Sequence, residues 1–246
     1  MHHCINEIIG YKLMAKDGEF GRCDDFLFED RPWIARYMIA NTGGFLHRHK
    51  VLIPLIELEK LDRSTQLFHV ELTKEQIEES PPLSEDEPVS HQYERISCLY
   101  FGWPAHWAGD DLENTISTPS GVFREPENVQ NNGEKESSLR SVKEVTGYHV
   151  EATKGKVGKV SDFIVDDNIW AIRYLVVDIQ SGVKDKKVRL APDWVNTVNW
   201  LNRVVNVDMS VDGIEKCPEF KPEEPFGPDL DSMVSRSNWP MNTFEI

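Results

Sequence analysis

The chain has 246 residues and a formal net charge of −15 at pH 7. Because contacts to phosphates need clustered Lys and Arg, this charge argues against direct binding of nucleic acid. The same charge disfavours adhesion to an anionic membrane surface.

The four cysteines indicate a reducing compartment. Cys4, Cys23, Cys98 and Cys217 show no paired spacing, so a disulfide framework or a zinc site is not expected. No run approaches the ~20 apolar residues that a membrane-spanning helix needs, and the N-terminus lacks the pattern of an export signal. We therefore expect a soluble, cytoplasmic chain without a cofactor.

An internal repeat sets the organisation of the chain. Gly10–Asn41 aligns without a gap with Gly147–Asp178, at an offset of 137 residues. This repeat predicts two copies of one structural unit, each of roughly 70–80 residues. The paired residues are Gly10 and Gly147, Tyr11 and Tyr148, Gly21 and Gly158, Asp25 and Asp162, Phe26 and Phe163, Trp33 and Trp170, Arg36 and Arg173, and Tyr37 and Tyr174.

Copy one predicts a series of short strands. Met1–Asn6 is expected to be a short lead-in, and the Lys-Asp-Gly turn at 16–18 predicts a hairpin, because Gly accepts the positive φ of such turns. The apolar stretch Trp33–Ala40 and its equivalent Trp170–Val177 are typical of a strand buried on both faces. The strands expected in copy one are Tyr11–Ala15, Gly21–Phe28, Trp33–Ala40, Lys50–Leu55 and Leu67–Leu72.

A short helix is expected after the strands of each copy. Thr73 and Gln76 have the spacing of a capping box, which predicts a helix through Glu79; in copy two Ser210 keeps the cap. Five or so strands and a helical turn per copy favour an all-β fold. We expect two small β-barrels in tandem, related by a pseudo-two-fold duplication, because closure hides the edges of a sheet.

The sequence divides into 1–81 (copy one), 82–140 (linker), 141–218 (copy two) and 219–246 (an acidic, Pro-rich tail). The linker is acidic at its start and polar at its end, but residues 93–107 are rich in aromatic side chains. These aromatic residues form an interface if they are exposed, since large apolar patches mark interfaces. The favoured alternative is that they fold back and bridge the two barrels. A third is that they pack on a second subunit and give a dimer.

The repeated unit resembles the PRC-barrel family. The likeness rests on Gly158-Lys159-Val160-x-Asp162-Phe163 and on the strand Trp170-x-x-Arg173-Tyr174 that ends at Asp178, and it covers about 70 residues twice. Copy one departs from the pattern at Arg22, Cys23 and Asn41. This small barrel is shared by the cytoplasmic part of the photosynthetic reaction-centre H subunit and by a ribosome-maturation factor, and the tandem members are mostly bacterial.

The resemblance implies a docking module without catalytic activity. We therefore expect an interaction or assembly role with an unidentified protein partner, at a membrane complex or a ribosomal assembly, by analogy of fold. The residues assigned to this interaction are Tyr100, Phe101, Trp103 and Trp107. The repeated Asp, Phe, Trp, Arg and Tyr residues are expected to pack or to pair across strands instead of forming a ligand site.

The alternative function is a sensor of a small ligand or metal in the groove between the barrels. His47 and His49 would face the same side of an extended segment, and His106 is a further candidate ligand. Copy two has Lys184 and Lys186 at the equivalent positions, and two of the usual ligands are missing, so no metal is expected. The sequence has no nucleophile elbow or phosphate-binding glycine loop, and we expect no enzyme activity.

Overall fold

The computed structural model describes residues 1–43, 50–81, 83, 91–102, 139–181 and 184–222. Fourteen strands of the described residues form one mostly antiparallel sheet, and the expected all-β class is confirmed. The elements of the first half are β1 His2–Cys4, α1 Ile5–Ile8, β2 Lys12–Ala15, β3 Gly18–Glu29, β4 Ile34–Asn41, β5 Lys50–Pro54, β6 Leu58–Asp62, β7 Leu67–Val70 and α2 Lys74–Glu78. Next follow α3 His91–Phe101, β8 Leu139–Ser141, α4 Val142–Val145, β9 His149–Ala152, β10 Gly155–Asp166, β11 Ala171–Ser181, β12 Lys184–Leu190, β13 Val195–Asn199, β14 Val204–Val207 and α5 Val211–Glu215.

The two copies have the same strand connections. In copy one β2, β3, β4 and β5 pair in chain order, β7 pairs in parallel with β2, and β6 pairs with β7. In copy two β9 to β12 repeat this series, β14 pairs in parallel with β9, and β13 pairs with β14. The offset of 137 residues seen in the sequence therefore extends to the whole unit.

The chain that precedes each copy packs on the other copy. Strand β1 pairs with β10 of copy two, in the register His2 to Asp166 and Cys4 to Ile164. Its equivalent β8 pairs with β3 of copy one, with Ser141 opposite Leu27. The expectation that Met1–Asn6 is only a lead-in is wrong, because this segment forms β1 and the start of α1.

Side-chain contacts support this reciprocal exchange on both sides. His3 Nε2 lies 2.8 Å from Asp167 Oδ2 of copy two. At the equivalent place Arg140 Nε lies 3.6 Å from Asp30 Oδ2 of copy one. The exchanged segments β1–α1 and β8–α4 thus each carry a basic side chain to a carboxylate of the other copy.

The two copies meet around Trp33 and Trp170. Both residues have positive φ, 65° and 54°, an uncommon conformation for bulky side chains. Their carbonyl groups accept reciprocal hydrogen bonds, from Ile172 N to Trp33 O and from Ala35 N to Trp170 O, each 2.8 Å long. The strained backbone is therefore held by the junction between the copies.

One hydrophobic core extends across this junction. The Phe28 and Phe163 rings, one from each copy, lie 5.4 Å apart, and Phe26 stacks on Trp170 at 5.7 Å. Burial of apolar surface is the main favourable term in folding. The copies therefore stabilise each other through shared core residues.

The repeated glycine of the motif has a steric role. A Cβ atom at Gly158 would lie 2.0 Å from the carbonyl oxygen of Asp178, and one at Gly21 would lie 2.3 Å from that of Asn41. Contacts this short with a backbone oxygen are not tolerated. Glycine therefore allows the close approach of β10 to β11 and of β3 to β4.

The helices after the strands begin as expected. Gln76 N–H donates to Thr73 Oγ1 and Thr73 N–H donates to Gln76 Oε1, which confirms the capping box. In copy two Gly213 N–H donates to Ser210 Oγ, 3.1 Å away. Among the helices of the described residues, none combines the length and the apolar composition that crossing a membrane requires.

Closure into two barrels is not seen in the hydrogen bonds of the described strands. The path of paired strands runs β13-β14-β9-β10-β11-β4-β3-β2-β7-β6, with β5 on β4 and β12 on β11. Among these strands β5 does not pair with β6, and β12 does not pair with β13. The sequence also missed β6, β13 and α3. What the structure establishes is a large sheet made of two equivalent halves.

Candidate interaction surface

Helix α3 of the linker is anchored on copy one. Ser97 and Cys98 are buried, and the Tyr37 hydroxyl lies 3.8 Å from Cys98 Sγ. Phe101, one turn after Ser97, packs against the main core. Residues 97, 98 and 101 share one helical face, so this face fixes the helix on the sheet.

The opposite face of α3 is apolar and exposed. Ile96, Leu99 and Tyr100 are 46%, 54% and 39% exposed. Their i, i+3, i+4 spacing places them on one side of the helix. Large apolar side chains that are clustered and exposed mark interaction sites more often than scattered ones do. We call this cluster the α3 face.

The charges of two carboxylates reach the α3 face at Tyr100. Burial, followed by the negative charges of Glu79 and Glu75, raises the pKa of the Tyr100 hydroxyl. These two glutamates lie at the end and the start of α2 and are exposed, as is Glu78. We call Glu75 and Glu79 the acidic rim.

Of the four residues that the sequence assigned to an interaction, the structure describes two. Tyr100 lies on the α3 face, whereas Phe101 is half-buried, and their rings meet edge-on at 4.8 Å. Trp103 and Trp107 lie outside the described residues. Ile96 and Leu99 were missed as site residues, although their helical spacing with Tyr100 was a signal that could have found them.

Asp25 and Asp162 hold the exchanged segments. Asp25 Oδ1 accepts from the backbone N–H of Lys143, 3.1 Å away, and its other oxygen accepts from the Ser141 hydroxyl. Asp162 Oδ1 accepts from the backbone N–H of Asn6 at the equivalent 3.1 Å. Each carboxylate therefore binds the start of a short helix from the other copy, where N–H groups lack helical partners.

Both carboxyl groups have perturbed pKa values. Burial raises the pKa of Asp25, against the hydrogen bonds of Ser141, Lys143 and Phe26. Burial raises the pKa of Asp162 to about 6, against the hydrogen bonds from Asn6 and Phe163. Perturbed carboxyls also occur at catalytic sites, but here the geometry connects both groups to backbone N–H donors.

The other repeated residues lie in the core or pair across strands. Arg36 donates to Glu29 at 2.7 Å, and Arg173 donates to Asp166 at 3.3 Å. These equivalent pairs connect β4 to β3 and β11 to β10. The buried aromatic members of the set are Phe26, Trp33, Tyr37, Phe163 and Tyr174, and Trp170 is half-buried.

The junction of the copies contains a small cavity. It has a volume of about 220 Å³ and is lined by Asp30 and Arg31 of copy one and by 195–198 of copy two. Arg31 Nη2 donates to the carbonyl of Asn196, 2.9 Å away. The cavity lies between the copies, where a small-ligand sensor would bind, and that alternative stays a prediction.

Metal binding has no support within the described parts of the chain. No group of three or more His, Cys, Asp or Glu residues is placed there to hold a metal ion. His47, His49 and His106 lie outside the described residues. None of the four cysteines forms a disulfide, and all are buried. Burial raises the pKa of Cys4 and Cys217 to about 12, so neither is a reactive thiolate at neutral pH.

No family model matches the chain, and no curated protein matches it.

Proposed function

We propose that this chain is a non-catalytic interaction module, built from two PRC-type barrels, that docks on another protein through the α3 face. The α3 face supports this proposal because its three apolar side chains are exposed on a helix whose other face is buried against copy one. An interface with pre-ordered contact residues loses less conformational entropy on binding.

The arrangement of the rest of the chain agrees with this role. The repeated polar residues of the motif hold the two copies together, and their hydrogen bonds and ion pairs are directed within the fold. The α3 face has no equivalent in the repeat, because its residues lie between the copies. We expect the module to act in the cytoplasm, since its four cysteines form no disulfide.

The proposal is tested by capturing partners with wild-type and altered protein. Tagged Ile96→Ser/Leu99→Ser protein is compared with the wild type on soluble and membrane fractions of the native host, and bound proteins are quantified by mass spectrometry. Replacing central apolar contacts costs ~2 kcal/mol or more. We therefore expect a specific partner to be depleted at least ~10-fold, with membrane-complex subunits or ribosomal proteins as the expected classes.

Leu201→Ser is the matched control, because Leu201 is 74% exposed and lies on copy two. This variant should capture the same partner as the wild type. Far-UV circular dichroism and urea melts must be unchanged in all three proteins. If no stoichiometric partner depends on the α3 face in either fraction, the proposed function is wrong.

A further inference from the structure

The acidic rim is only partly repeated on the equivalent helix of copy two. The positions of Glu75 and Glu79 correspond to Asp212 and Lys216 on and after α5. Copy one thus has carboxylates at both ends of α2, while copy two ends the equivalent turn with a cation. Counted through Glu79 and Lys216, the residues that follow the helices, α2 is therefore more negative than α5, and α2 is the one near the α3 face.

The dimensions of the α3 face indicate the size of its ligand. Residues 96 to 100 cover slightly more than one helical turn, or about 6 Å along the axis. Such a strip accepts two apolar side chains that recur once per turn on a partner. An amphipathic helix supplies this spacing on one face.

The acidic rim indicates the charge of the same ligand. Carboxylates beside an apolar strip favour Lys or Arg at its margin, and their long stems can cover apolar surface while the charges remain in water. The chain's charge of −15 adds long-range attraction for a cationic partner. The same charges repel an anionic lipid surface.

We propose that the α3 face and the acidic rim together form the docking surface for a basic amphipathic helix of a partner protein. This inference rests on the proposed function and adds the chemical class of the partner. The apolar residues Ile96, Leu99 and Tyr100 bind the apolar side of the partner helix. Glu75 and Glu79 select its cationic margin and exclude an acidic one.

The test uses the full chain and a defined peptide. The probe is a fluorescein-labelled amphipathic peptide of about 14 residues, a length of roughly four helical turns, containing only Leu and Lys. A second peptide replaces every Lys by Glu. Fluorescence anisotropy should show saturable binding of the Leu/Lys peptide and at least ~10-fold weaker binding of the Leu/Glu peptide.

Two matched pairs of variants separate specific docking from general attraction by an acidic protein. Ile96→Ser/Leu99→Ser should weaken binding of the Leu/Lys peptide at least ~10-fold, whereas Leu201→Ser should not. Glu75→Gln/Glu79→Gln should weaken it roughly 5-fold and reduce its salt dependence. Asp212→Asn/Glu215→Gln removes the same charge from α5 and should leave the affinity unchanged.

Each result decides for or against the inference. The inference is overturned if Glu75→Gln/Glu79→Gln and Asp212→Asn/Glu215→Gln lose the same affinity for the Leu/Lys peptide, or if neither loses any. It is also overturned if the wild type binds the Leu/Lys and Leu/Glu peptides equally. Binding to phosphatidylserine vesicles that depends on Leu99 overturns it in favour of a membrane surface. If a cellular partner depends on Leu99 but the Leu/Lys peptide does not bind, the partner class is wrong and the proposed function stands.

Discussion

Asp162 shows how one residue of the repeated motif couples burial to protonation. Its carboxylate accepts from the backbone N–H groups of Asn6 and Phe163. The folded state nevertheless favours the protonated form, because burial raises the pKa from 3.8 to about 6. A raised pKa of an acid means that the folded chain binds the proton more tightly than the unfolded chain does.

This shift predicts a pH dependence of stability. As the pH rises from about 4 to about 6, the contribution of Asp162 to the free energy of unfolding should fall by up to about 3 kcal/mol. The Asp162→Asn variant keeps an acceptor oxygen for both N–H groups but does not titrate. We expect its free energy of unfolding, measured by urea titration, to fall less steeply over this pH range.

Asp193→Asn is the control for this measurement, because Asp193 is exposed on copy two. Its pH profile should follow that of the wild type. Identical slopes for Asp162→Asn and the wild type between about pH 4 and about pH 6 would mean that the buried carboxyl does not control this dependence.

At the scale of the residue, the sequence predicted which polar residues are structural better than it predicted which groups they bind. The repeat marked Asp25, Asp162, Arg36 and Arg173 as structural, and the structure shows backbone or cross-strand partners for each. It could not show that Asp25 and Asp162 bind the opposite copy. Their donors lie more than a hundred residues away, and no local pattern reports such a contact.

Elements could be predicted where local chemistry determines them. The turn at Gly18 predicted the hairpin of β2 and β3, and the Thr73 capping box predicted α2. Strands β1 and β8 have three residues each, too few for any periodicity. Helix α3 was missed although Ile96, Leu99 and Tyr100 have helical i, i+3, i+4 spacing.

The exchanged segments predict that mutations act on the opposite copy. Ile5 of α1 is fully buried, and Ile5→Ala should destabilise the protein by ~2–4 kcal/mol. Under native conditions we expect faster amide hydrogen exchange in β1 and in β10 of copy two. Strands β2 and β4 of copy one should keep their protection.

Val142→Ala on α4 is the matched experiment, since Val142 occupies the equivalent position and is also fully buried. In this variant the loss of protection should appear in β8 and in β3 of copy one. An exchange of segments would be contradicted if, in both variants, amide protection were lost only in the strands of the copy that carries the mutation.

At the scale of the whole molecule, the shared core predicts one unfolding transition. The junction hydrogen bonds of Trp33 and Trp170 and the contact of Phe28 with Phe163 connect the copies. Neither copy can lose its exchanged segment without exposing the core of the other. We expect the calorimetric and van't Hoff enthalpies of unfolding to agree.

Circular dichroism and tryptophan fluorescence should accordingly give coincident urea transitions. Two resolved transitions, or a calorimetric enthalpy well above the van't Hoff value, would show that the copies unfold independently. The repeat alone would have suggested two independent domains. Sequence similarity between the copies identifies the repeating unit, but it does not show that the two units share a core.

The position of Leu139–Val145 in the chain also has a consequence for synthesis. Copy one emerges from the ribosome before this segment has been translated. At ~5–20 residues per second, the segment follows copy one after a delay on the order of 10 s. Throughout that interval the nascent β3 has an uncovered edge, and uncovered edges are sites of incorrect pairing. Conversely, β1 is made first, and its partner β10 is made more than a hundred residues later. The pairing of the start of the chain with copy two is therefore a late event on the ribosome.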